Sequence, residues 1–134
     1  MDAIRLLSLE QETILSLIST VVSGAHDVRL KAEICWAKVM EEAARQGVQG
    51  ICFDALELLP AEQRPDKAML LGWLGQVVCL ERLYKGHRKS IDALSFFYQQ
   101  NGIKMMLLKG YGMSLYWPKP NHRPVGDMDI YLGH

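Results

Sequence analysis

Residues 103–132 read IKMMLLKGYGMSLYWPKPNHRPVGDMDIYL, and the fold turns on this stretch. Ile103-Lys104-Met105-Met106-Leu107-Leu108 is a short apolar run, enclosed by Gly102 and Gly110. It is too short for a helix of ordinary length and reads as a strand. Lys109-Gly110-Tyr111-Gly112 is a glycine-bearing turn, and Met113 to Trp117 reads as a short helix. A loop follows, with three prolines in the seven residues from Pro118 to Pro124. Asp127-Met128-Asp129-Ile130-Tyr131-Leu132 then alternates polar and apolar, the period of a second strand. Two strands alone are marginal and present open edges unless they are covered or paired with another chain.

Upstream the period changes to that of helices. In 8–22, Leu9, Ile14, Leu15, Leu17, Ile18, Val21 and Val22 are spaced by threes and fours, with Ser8 and Gln11 placed as a capping box and Ser23-Gly24 as the stop. A second helix is predicted over 27–46, capped by Asp27 and ended by Gly47. A third spans 48–59 and closes at Pro60. After a polar connector at 61–65, the stretch 66–100 carries one long apolar stripe from Met69 to Tyr98. It is either one helix or two joined near Gly86, since a lone glycine costs only ~1 kcal/mol in a helix. The expected class is α+β. A helical region, 1–101, precedes the first β-α-β piece of a larger fold, 102–134.

Composition sets the outer bounds. The chain has 134 residues, half of them apolar and 22% charged, which is one domain's worth of globular protein. Lys plus Arg equals Asp plus Glu at 15 each, so there is no overall electrostatic footprint for wrapping duplex nucleic acid. Cys35, Cys52 and Cys79 are far apart and lack metal-ligand spacing. They are expected to be buried thiols in a reducing compartment. No apolar run approaches the ~20 residues that span a bilayer, and no signal peptide is evident, so a cytoplasmic protein is expected.

The chemistry-bearing pair is Asp127 and Asp129. On a strand, residues two apart share a face, so both carboxylates converge, with Met128 and Ile130 turned to the core. Like charges held together call for a cation, and Mg²⁺ is typically held by one or two carboxylates together with substrate phosphates. An Asp-x-Asp in a solvated turn has the same sequence and no function. Lys109 and Gly110 lie where a strand runs into a helix. Glycine there allows close backbone approach to an anion, although the spacing is that of neither a P-loop nor a dinucleotide fingerprint.

Three segments together, Leu107-Leu108-Lys109-Gly110, Tyr116-Trp117-Pro118-Lys119-Pro120 and Arg123-Pro124-Val125-Gly126-Asp127-Met128-Asp129, resemble the uncharacterised bacterial nucleotidyltransferase family of the DNA polymerase β-like superfamily. The resemblance covers about a fifth of the chain. It implies that Asp127 and Asp129 bind Mg²⁺ and are the catalytic carboxylates, in a site that holds two metals in the complete protein. It implies that the turn at Gly110 cradles a nucleoside triphosphate, with Lys109 and Arg123 reaching its phosphates; for Arg123 the alternative is an ion pair orienting the aspartates. The reaction implied is transfer of a nucleoside monophosphate to an acceptor that the sequence does not choose. Superfamily enzymes add a third carboxylate on a later strand, whereas the five residues after Asp129 contain neither Asp nor Glu. An incomplete or inactive fragment is therefore expected. The alternative is a helical protein-interaction module that forms a homodimer through its terminal strands.

The remaining candidates have structural readings. His26, His87, His122 and His134 show no metal-ligand spacing, and His122 reads as an exposed loop residue near the aspartates. Ser114 has no base in reach. Trp36, Phe53 and Trp73 fall on helical stripes and are expected in the core. Lys85, His87, Arg88 and Lys89 read as a solvated helix face.

Overall fold

A computed structural model of the chain describes residues 6–25, 28–30 and 33–134. It is α+β and helix-rich, with one small antiparallel sheet near the end of the chain. The order is α1 (Leu9–Ser23), α2 (Trp36–Arg45), α3 (Gln49–Leu56), a 3₁₀ turn (Ala61–Gln63), α4 (Lys67–Gln100), β1 (Lys104–Leu108), α5 (Gly110–Ser114), a 3₁₀ turn (Pro120–His122) and β2 (Asp129–Gly133). The chain divides into two compact units, residues 1–77 and 78–134, with the boundary inside α4.

In the first unit, α1 begins at the expected capping box. The Gln11 backbone N–H donates to Ser8 Oγ at 3.2 Å, and the Ser8 N–H donates to Gln11 Oε1 at 3.0 Å. Gly24 ends the helix in the left-handed region at φ 68°. Two of the four N–H groups that a helix start leaves orphaned are engaged in this way. The second helix departs from expectation. Asp27 lies outside the described residues, and α2 starts only at Trp36. The reason is on the preceding chain, where Gln63 donates through Nε2 to the Leu30 carbonyl at 3.2 Å and accepts the Leu30 N–H on Oε1 at 3.0 Å. A side chain 33 residues away thus takes the Leu30 carbonyl, which a helix would have paired internally, together with an N–H that a helix starting at Asp27 would have left to its cap.

The core of this unit gathers Ile14 and Leu17 from α1, Val39 and Ala43 from α2, Cys52, Ala55 and Leu56 from α3, Leu59, and Trp73 and Val77 from α4. Trp73 is fully buried and donates its indole N–H to the Gln49 carbonyl at 2.9 Å, so the polar edge of the ring is satisfied inside the core. Trp36 and Phe53 pack against it with tilted rings, each 6.3 Å away between centroids, and both are only partly buried. The cysteine expectation holds for Cys52 alone, because Cys35 and Cys79 are exposed.

α4 runs unbroken through Gly86, which decides between the one-helix and two-helix readings. Asp66 caps it, accepting the Met69 N–H at 2.8 Å. In the second unit Gly102, at φ 71°, turns the chain into β1. β1 and β2 pair from Lys104 opposite Gly133 to Leu108 opposite Asp129. Directly opposed residues share a face, so Met105 and Leu107 lie with Leu132 and Ile130, while Met106 and Leu108 lie with Tyr131 and Asp129. The second face is open, with Met106, Leu108 and Tyr131 all exposed.

Candidate active site

The strand predicted over 127–132 is displaced by two residues at its start. β2 begins at Asp129, so Asp127 and Met128 belong to the approach rather than to the ladder. The period-two argument therefore does not reach back to Asp127, and Met128 is exposed rather than turned to a core. The carboxylates stand differently. Asp129 opens the strand, exposed, across from the last residue of β1. Asp127 is exposed two residues earlier, before the ladder begins.

That backbone meets the turn after β1. A Cβ added to Gly110 would stand 3.5 Å from the Asp127 carbonyl oxygen, and one added to Gly112 would stand 3.6 Å from that of Leu107. A Cβ at Gly110 would thus just reach van der Waals contact with the Asp127 backbone, which places the two segments close together. Pairing of Leu108 with Asp129 and the nearness of Gly110 to the Asp127 backbone bring the turn and both acidic residues to one end of the sheet. Lys109 sits at the centre of this junction in a conformation that side-chain-bearing residues rarely adopt, φ 53° and ψ −146°. It is exposed, and Gly110 follows it at φ 32° as the first residue of the short α5.

Arg123 ends the second 3₁₀ turn, partly buried, and donates from Nη1 to the Pro124 carbonyl at 3.0 Å. That bond fixes the guanidinium to its own loop. His122 overturns the expectation of an exposed histidine. It is 6% exposed, with Nε2 2.7 Å from Glu81 Oε1, a contact between the proline-rich loop and α4 across 41 residues of sequence. Ser114 is fully buried and structural, its Oγ 2.9 Å from the Tyr84 hydroxyl and also donating to the Tyr111 carbonyl. Sequence reading missed the His122–Glu81 and Tyr84–Ser114 pairs, and neither leaves a local signal, because each joins residues 30 or more positions apart.

Among the described residues no group of three or more His, Cys, Asp or Glu side chains is placed to hold a metal ion. Two exposed carboxylates beside a glycine turn are nonetheless a donor set of the right kind for Mg²⁺, which takes oxygen ligands and completes its shell with water and phosphate.

The family follows from this ground. The model of the uncharacterised nucleotidyltransferase family matches residues 32–134, from before α2 through β2. The chain belongs to that family. No curated protein and no solved structure is significantly similar to it. For this nucleotidyltransferase-family chain, the general activity is transfer of a nucleotidyl group, and a nucleotide is the class of substrate that goes with it. The match takes in α2, α3 and α4 as well as the turn and the aspartates, so the resemblance first carried by 103–132 extends over most of the chain. No helix among the described residues is long and apolar enough to cross a membrane.

Proposed function

We propose that the protein takes part in Mg²⁺-dependent transfer of a nucleoside monophosphate from a nucleoside triphosphate to an acceptor hydroxyl. The observation that carries this reading is the meeting of the Gly110 turn with Asp127 and Asp129 at one end of the sheet, in a chain of the nucleotidyltransferase family. In this reading Asp127 and Asp129 hold the metal and are the catalytic carboxylates. When bound, Mg²⁺ would neutralise charge on the triphosphate and on the departing pyrophosphate.

The chain's own groups do the positioning. Gly110, at φ 32°, belongs to the turn whose backbone N–H groups would face a phosphate in this reading. Lys109, exposed at the same turn, offers a cation to that phosphate. Arg123, anchored through the Pro124 carbonyl, brings a second cation on the loop that leads into Asp127. The contact of the buried His122 with Glu81 ties that loop to α4.

Isothermal titration of ATP, and separately GTP, CTP and UTP, with Mg²⁺ tests this in the parent chain and in Asp127→Asn/Asp129→Asn. Heat that requires the metal in the parent and vanishes in the double variant is the expected result. Metal-dependent binding of equal strength in the double variant would remove the aspartates from the site.

A further inference from the structure

A separate cleft of about 510 Å³ opens beside α5, lined by Glu81, Tyr84, Lys85 and Arg88 on α4 and by Tyr111 and Asn121 across from them. The four α4 residues fall at i, i+3, i+4 and i+7 and so share one helix face. The wall is aromatic. The Tyr84 and Tyr111 rings stack with centroids 4.8 Å apart and 23° between planes. Tyr84 is buried and tied by its hydroxyl to Ser114, which makes it a fixed backing for the partly exposed Tyr111. Burial, and then a hydrogen bond and the charge of Tyr84, hold the Tyr111 phenol above its ordinary pKa, and Asp92 acts in the same direction. The opposing influence is Arg88, close enough to act on the phenol. At neutral pH Tyr111 therefore presents an uncharged ring.

Charges of both signs surround that ring, with the exposed Asp92 one helical turn beyond Arg88. Glu81 is engaged with His122, whereas Lys85 and Arg88 are exposed on the same helix face. A solvated helix face is what the sequence implied for these cations, and the structure adds the aromatic wall next to them. Rings flanked by Lys and Arg suit a ligand with a planar π-face and an anionic group, the combination by which single nucleotides and single strands are held. Tyr111 directly follows Gly110, so the cleft borders the turn described above.

We propose that this cleft binds one nucleotide unit, with its base against Tyr111 and its phosphate between Lys85 and Arg88. The role of the site rests on the nucleotidyl-transfer reading, while its binding chemistry does not. The nucleotide belongs either to the donor triphosphate or to the end of an acceptor strand.

The test uses the whole chain without divalent metal, titrated with AMP, with a short single-stranded oligoadenylate and with ribose 5-phosphate. The variants are Arg88→Glu and Lys85→Glu, both at exposed positions, together with Tyr111→Leu, with circular dichroism as the check on folding. AMP is expected to bind more tightly than ribose 5-phosphate and to weaken at least tenfold in Arg88→Glu and Tyr111→Leu. Tighter binding of the oligoadenylate than of AMP assigns the cleft to an acceptor strand. Competition by ATP with no such advantage assigns it to the donor. If neither AMP nor the oligoadenylate binds the parent, or if Arg88→Glu leaves their binding intact, the cleft proposal is overturned. Metal-dependent ATP binding that is lost only in the aspartate variant would overturn the cleft and leave the metal reading standing.

Discussion

Lys109 occupies backbone space usually left to glycine, and that position has a cost. A side-chain-bearing residue held at φ 53° and ψ −146° stores strain of order 1–3 kcal/mol. Substituting Lys109→Gly removes that strain and the charge together. The variant is expected to be more stable by about 1 kcal/mol in urea unfolding, with weaker metal-dependent ATP binding. A less stable variant would mean that the lysine side chain stabilises the turn by more than its backbone costs. At this scale the aspartates, Gly110 and Arg123 were legible as a spaced pattern. The strain at Lys109 was not, because no feature of residues 107–112 in the sequence marks a lysine for that backbone conformation. His122 was misread for a similar reason: its loop is full of prolines and polar groups, and only a distant glutamate makes burial favourable.

The elements obey local rules wherever long-range bonds leave them alone. The capping box of α1, the cap at Asp66 and the stop at Gly102 are all written in adjacent residues, and all three form. α4 passes through Gly86 because one glycine is a small penalty in a long helix. A Cβ at Gly86 would have nothing within 4 Å, and its φ is helical. Gly86→Ala should therefore stabilise the chain by roughly 0.5–1 kcal/mol, read as a higher urea midpoint at unchanged slope. No gain would show that the helix is not intact there in solution. The late start of α2 marks the opposite case. Periodicity continued back to Asp27, but Gln63 captured both backbone groups of Leu30. A side chain on a distant 3₁₀ turn overrode the local preference, and no window centred on 27–46 contains it.

For the molecule as a whole, burial sorts residues that look alike in sequence. The three cysteines all sit among apolar neighbours, yet only Cys52 enters the core formed around Trp73. Burial, and then the charge of Asp54, push its thiol from 9.0 up to about 12. Below pH 9 the thiol is protonated in folded and unfolded chains alike, and its contribution to stability is fully present. Between pH 9 and about 12 only the unfolded chain ionises, so that contribution falls as the pH rises and is lost above the folded value. Replacing Cys52 by Ala should flatten the fall of stability across this window. In the native parent, Cys35 and Cys79 should react with a thiol reagent at once and Cys52 only after unfolding. Three thiols reacting together without denaturant would contradict the packing of this unit.

The sequence by itself determined the α+β class, the main helices, the strand pair and the family, because these depend on periodicity and on residues close together along the chain. It also set the chemical identity of the candidate site, since Asp, Lys, Gly and Arg at those spacings carry their chemistry wherever the fold puts them. Only the tertiary structure decided that the Gly110 turn lies near the Asp127 backbone, that Asp129 lies on the open face of the sheet, that His122 is buried, and that two tyrosines far apart in sequence stack beside Arg88. Each of these depends on contacts between distant segments, whose free energy no local window of residues contains.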